Sequence, residues 1–128
     1  MKTTKILYWV LTSVFALMMI FSGFLYLTSE ELKQAFVHLG FPHFFRIELG
    51  IAKLAGGVAL LTPLPSRLKE WVYAGFTITL ISAFITHVAM GDPASVFIMP
   101  LIFLVVLMGS YYLYHRREAV EGRVASAI

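Results

Sequence analysis

A chain of 128 residues that is 59% hydrophobic and only 13% charged, with a positive mean hydropathy, carries more apolar surface than a soluble core of this size can hide. Its net charge of +3 comes from basic residues scattered at the ends of apolar runs, a topology signal that excludes the basic stripe of a nucleic-acid binder. The absence of cysteine excludes disulfides, thiolate nucleophiles, iron–sulfur ligation, Cys-based zinc sites and quinone reduction by thiol exchange.

The first apolar run, residues 6–27, is long enough to cross a hydrocarbon core of ~30 Å as a helix. Lys2 and Lys5 precede it, and Tyr8 and Trp9 lie near its entry. It is too long for the core of a signal peptide and no A-x-A site follows, so it is expected to be retained. Thr28-Ser29-Glu30-Glu31 has the hydroxyls and carboxylates of a helix start. Leu32, Ala35, Phe36 and Leu39 then predict a short amphipathic helix over 29–40, closed by Gly40 ahead of Pro42 and lying in the membrane interface.

The second span is predicted over 44–62 and is stopped by Pro63-Leu64-Pro65. A short loop, 66–70, leads to the third span, 71–90. Arg67, Lys69 and Glu70 in that loop read as a topology anchor, with anionic headgroups or a cytoplasmic partner as the alternative they could bind. Gly91-Asp92-Pro93 makes a turn into the fourth span, 95–114, where Pro100 is a candidate kink, and a polar tail, 115–128, is expected to fray. The prediction is an all-α, four-transmembrane-helix bundle in a single membrane domain, 1–128. Both termini are expected in the cytoplasm, because that side then holds Lys2, Lys5, Arg67, Lys69, Arg116, Arg117 and Arg123, seven of the ten basic residues. A bacterial-type inner membrane suits this pattern.

Charges inside the spans are the candidates for chemistry, since each is costly in hydrocarbon without a partner or water. Arg46 and Lys53 share a helix face, whereas Glu48 points roughly 140° to 160° away from both. Glu48 lies with Ala52, Ala55 and Ala59, small residues that allow close helix approach, so this face is expected to look into the bundle. Gly75, Thr79, Ser82 and Thr86 form a matching stripe on the third span, with hydroxyls able to bond across helices. His87 sits beside its outer end, and a Glu48–His87 hydrogen bond that holds or relays a proton is geometrically reasonable. The competing reading makes that pair purely structural. Lys53 is expected to snorkel toward Arg46 and the outer surface.

No metal site is expected. His38 and His43 flank a Gly-Phe-Pro break, and a haem held by His43 and His87 needs two facing imidazoles and an open cavity that the sequence does not reveal. No phosphate loop or Ser-His-Asp spacing occurs, and no catalytic residue or redox centre is legible.

Leu39-Gly40-Phe41-Pro42, the stretch from Phe45 through Arg46-Ile47-Glu48-Leu49-Gly50-Ile51-Ala52-Lys53 to Gly57, and Leu60-Leu61-Thr62-Pro63 resemble the DoxX-like family of small membrane proteins. Lys69-Glu70-Trp71-Val72-Tyr73-Ala74-Gly75-Phe76 and Ser82-Ala83-Phe84-Ile85-Thr86-His87 continue the likeness. The resemblance implies a four-helix membrane bundle. It also implies either a subunit associated with thiosulfate:quinone oxidoreductase or a membrane assembly or chaperone factor. Some relatives carry a carboxylate where this chain has Lys53, so an acid at that position does not transfer and Glu48 is left to supply one. The leading expectation is an accessory protein that binds a quinone, or a similar lipid-soluble molecule, in an outer-half pocket bounded by Glu48, Lys53, Thr86 and His87, beside a membrane redox subunit. The alternative is a non-enzymatic protein that shields or assembles a client membrane protein. Passage of a solute or proton is disfavoured, because spans one and four offer no continuous charged path.

Overall fold

The computed structural model describes residues 2–127, and their side chains from Lys2 to Arg117; expectations for Glu118, Glu121 and Arg123 lie outside the described side chains. Five helices follow one another with short connections: α1 (Lys2–Thr28), α2 (Glu30–Leu39), α3 (His43–Leu61), α4 (Ser66–Ala89) and α5 (Ala94–Ala127). No strand occurs among the described residues. Three helical segments, Lys2–Thr28, Ser66–Ala89 and Ala94–Arg117, are long and apolar enough to cross a membrane. The 19-residue α3, which carries Arg46, Glu48 and Lys53, is not among them.

The large apolar side chains Val10, Leu17, Phe21, Ile78, Ile85 and Val105 are exposed, a surface suited to lipid. Inside, Tyr8, Thr12, Phe15, Ala16, Met19 and Gly23 form the buried stripe of α1, at the three- and four-residue spacing of one helix face. α1 packs along α3 and α5, α4 packs on α5, and α3 and α4 meet only sparsely. The α1–α3 approach is close because glycines meet there. A Cβ on Gly23 would lie 2.7 Å from the Gly50 carbonyl oxygen, and one on Gly57 would lie 2.5 Å from Ile20 Cγ1. Across the core, Ser110 Oγ sits 2.6 Å from Thr12 Oγ1 and 2.7 Å from Tyr73 OH, so one hydroxyl ties α1, α4 and α5 together.

Two boundaries differ from the sequence reading. α4 begins at Ser66, so the expected loop is the first turn of a helix. Lys69 there is 3% exposed and donates to the Ala59 and Leu60 carbonyl oxygens at 3.1 and 2.6 Å, satisfying orphan acceptors at the end of α3. α5 runs through Pro100 and on to Ala127 without a break; Arg, Glu and Ala in the tail are good helix formers, which the expectation of fraying underweighted.

Candidate functional site

The sparse α3–α4 contact leaves two adjoining cavities between these helices, sharing Leu49 and Thr79. The larger, about 330 Å³, is walled by the aromatic rings of Tyr26, Phe36, Phe41 and Phe45, with Thr79, Ser82, Thr86 and His87 supplying polar atoms from α4. The smaller, about 180 Å³, reaches Lys53, Gly56 and Gly75. α2 forms one wall of the larger cavity through Leu32, Ala35, Phe36 and Leu39.

Local capping explains why α2 stands there. Ser29 Oγ accepts from the Leu32 N–H at 3.4 Å, and Glu30 and Glu31 occupy the first turn. Gly40 closes the helix at φ 81°, a left-handed conformation, and the Phe41 N–H reaches back to the Phe36 carbonyl at 3.0 Å. The chain therefore turns sharply into α3, with Phe36, Phe41 and Phe45 stacked in succession at centroid distances of 5.8 and 5.0 Å.

The same motif ends α4. Gly91 at φ 73° lets the Asp92 N–H bond the His87 carbonyl at 3.0 Å, which folds Asp92 back over the helix end. Asp92 Oδ2 then lies 2.7 Å from His87 Nδ1, and Asp92 Oδ1 lies 3.4 Å from His38 Nε2 on α2. The hydrogen bond from His87, supported by that from His38, holds the Asp92 carboxyl below its ordinary range. With Asp92 ionised, His87 donates from Nδ1 to that carboxylate, and in the neutral imidazole Nε2 is then the acceptor. One carboxylate thus fixes the tautomer of a cavity-lining imidazole and ties α2 to α4.

The expected Glu48–His87 pair does not form. Glu48 is exposed, as are Ala52 and Ala55, while Arg46, Gly50, Lys53, Gly57 and Leu60 form the buried face of α3. Arg46 and Lys53 do share a face, as the 3.6-residue period requires, but that face looks inward. The reason is Gly50 and Gly57, which admit the α1 backbone more closely than the alanines opposite.

Lys53 consequently does not snorkel: it is 9% exposed, donates to Ser22 Oγ at 3.1 Å and lies 4.0 Å above the Tyr26 ring. Arg46, 5% exposed, donates through Nη1 to the Tyr26 carbonyl, with Nη2 3.1 Å from His43 Nδ1 and Nε buried without a partner. Among the described residues no carboxylate lies within ion-pair distance of either cation. Tyr26 holds both and packs edge-on to Phe36 at 5.1 Å, so the cations are linked to the α2 wall. Of the four residues expected at the pocket, Lys53, Thr86 and His87 line the cavities and Glu48 does not.

The α4 stripe faces α3 across the cavities, but Thr79 and Thr86 donate to the Gly75 and Ser82 carbonyls of their own helix at 2.8 Å rather than across helices. Tyr26, Ser22 and Asp92 were missed by the sequence reading. Only Asp92 carried a signal: a carboxylate following a glycine just beyond a helix that ends in histidine.

No curated protein and no solved structure matches this chain at a significant level of similarity. A family profile described as DoxX-like matches residues 10–110, which include all five helices in whole or in part and every residue that lines the two cavities. The chain is an integral membrane protein that belongs to the DoxX-like family.

Proposed function

We propose that α1, α3, α4 and α5 all cross the bilayer with both termini cytoplasmic, and that the cavity walled by α2, α3 and α4 binds a quinone or similar lipid-soluble carbonyl compound beside a redox partner. Burial of Arg46 and Lys53 against α1 supports a membrane-crossing α3, because the two cations are hidden from lipid among neutral acceptors. Seven basic residues at one end support the orientation.

The observation that carries the ligand reading is the larger cavity. Its aromatic and aliphatic walls and few convergent polar groups, at about 330 Å³, suit a substituted ring headgroup. A bound quinone supplies two-electron, two-proton exchange, and its electrons come from another protein or a soluble donor. His87, with Nδ1 committed to Asp92, offers Nε2 as the atom that takes or returns a proton. Ser82 and Thr86 offer hydroxyl oxygens at the same wall, and Lys53 places positive charge in the adjoining cavity.

Equilibrium binding of a short-chain ubiquinone to the detergent-solubilised protein tests this. Saturable binding is expected, weakened about tenfold or more by His87→Phe and by Ser82→Phe and unchanged by Glu48→Gln. Absence of saturable binding, or equal binding by all variants, sinks the proposal. A second reading, assembly or shielding of another membrane protein, is favoured by the exposed Glu48, Ala52 and Ala55 face of α3.

A further inference from the structure

Lys53 sets the smaller of the two cavities apart. It lies near the middle of α3, about 15 Å along the helix from His43, and is 9% exposed. Its partners are neutral: Ser22 Oγ accepts from it at 3.1 Å, and the Tyr26 ring centre lies 4.0 Å from it. Among the described residues no carboxylate stands within ion-pair distance of it. An ammonium enclosed in this way is costly without a counter-charge, and a ligand that carries an acid supplies one.

The cavity beside it, about 180 Å³, is a gap between one face of α3 and one face of α4. Lys53 carries the charge on its walls. Thr79, the other polar side chain there, spends its proton on the Gly75 carbonyl of its own helix at 2.8 Å. The Phe76 ring closes one end, where a Cβ on Gly56 would meet it at 2.7 Å. The gap opens sideways: Ala52 and Gly75 line it and are both exposed, and nothing lies within 4 Å of the place a Gly75 Cβ would take. Ile51 and Ile78 are exposed beside this mouth, so it faces an apolar surface suited to lipid. Leu49 and Thr79 are all that the gap shares with the larger cavity, so a ligand held here has its own polar anchor.

We propose that the smaller cavity binds the carboxylate of a long-chain fatty acid. The carboxylate pairs with the Lys53 ammonium, and the hydrocarbon chain leaves past Ala52 and Gly75 into the bilayer. The shared chemistry, an oxyanion on an apolar chain, also describes an alkyl phosphate. The depth of Lys53 selects the carboxylate, a step that rests on α3 crossing the membrane as proposed above. A carboxylic acid travels through hydrocarbon uncharged, with its proton on, whereas a phosphate carries its charge and stays at the interface.

Native mass spectrometry of the full chain, released from mild detergent with oleic acid, oleyl alcohol or oleyl phosphate added, tests the proposal. Bound oleate is expected on the wild type and on His87→Phe, and to fall about tenfold on Lys53→Met, which removes the charge, and on Gly75→Leu, which fills the gap. Oleyl alcohol is expected to bind weakly and equally across the set. Circular dichroism of each variant checks that its helices are intact, and Gly75→Leu keeps the test decisive if Lys53→Met does not fold. Equal oleate on the wild type and Gly75→Leu, or a loss on His87→Phe that Gly75→Leu does not share, overturns the site. Displacement of oleate by equimolar oleyl phosphate overturns the carboxylate and the depth argument behind it. Because oleate is expected on His87→Phe, failure of quinone binding in the larger cavity leaves this result unchanged.

Discussion

At the scale of single residues, the charges of α3 behave oppositely to what their cost in a bilayer suggests. The two long cations are buried and the carboxylate is left outside, because a lysine or arginine stem can pack against α1 while its head finds the Ser22 hydroxyl, the Tyr26 ring or a backbone carbonyl. Asp92 matters more than Glu48 to the cavity, since it bonds both His38 and His87 and thereby joins α2 to the end of α4. Its depressed carboxyl sets the sign of a pH effect. A group whose folded value lies below the ordinary 3.8 contributes stability that is complete above 3.8 and lost as pH falls through the folded value. Amide protection factors across α2, which remove the intrinsic pH dependence of exchange, should therefore hold down to 3.8 and fall below it, with Asp92→Asn removing this acid-dependent step. An unchanged acid response in Asp92→Asn would show that α2 is held by other contacts.

At the scale of elements, α1 approaches α3 closely at Gly23 and Gly50, and this contact sets where α3, one wall of both cavities, stands. Gly23→Ala drives a methyl to within 2.7 Å of a backbone oxygen that cannot swing aside. A loss of about 1–3 kcal/mol is expected, read as a lowered midpoint in thermal melting of the solubilised protein. Gly75→Ala is the control: nothing lies within 4 Å of its added Cβ, and the melting midpoint should hold or rise.

Element ends were the most legible part of the chain, because Ser29, Gly40 and Gly91 act through local backbone geometry. The inward face of α3 was not legible. Helical period states that Arg46 accompanies Lys53 and that Glu48 opposes them, yet both faces carry small residues, and only the glycine of α1 opposite Gly50 decides which one packs. The burial of Lys69 was hidden for a similar reason, since its acceptors at Ala59 and Leu60 lie in a preceding helix.

At the scale of the whole molecule, polarity is sorted toward the two ends. One end holds the aromatic cavity under α2 with the Asp92–His87 pair, and the other holds Lys69 and Arg117 beside Tyr8 and Trp9. Between them, the Thr12–Ser110–Tyr73 hydroxyls join three helices without any charge. This distribution suits a membrane protein whose apolar middle lies in hydrocarbon.

Solvent extraction of the gently purified protein, with mass identification of what is released, decides whether the α2–α3–α4 cavity holds a lipid-soluble carbonyl compound. Near-stoichiometric quinone is expected from the wild type and from Glu48→Gln, and its loss from folded Ser82→Phe, whose added ring fills the cavity. No quinone-class molecule in the wild-type extract, or the same amount from Ser82→Phe, would contradict it.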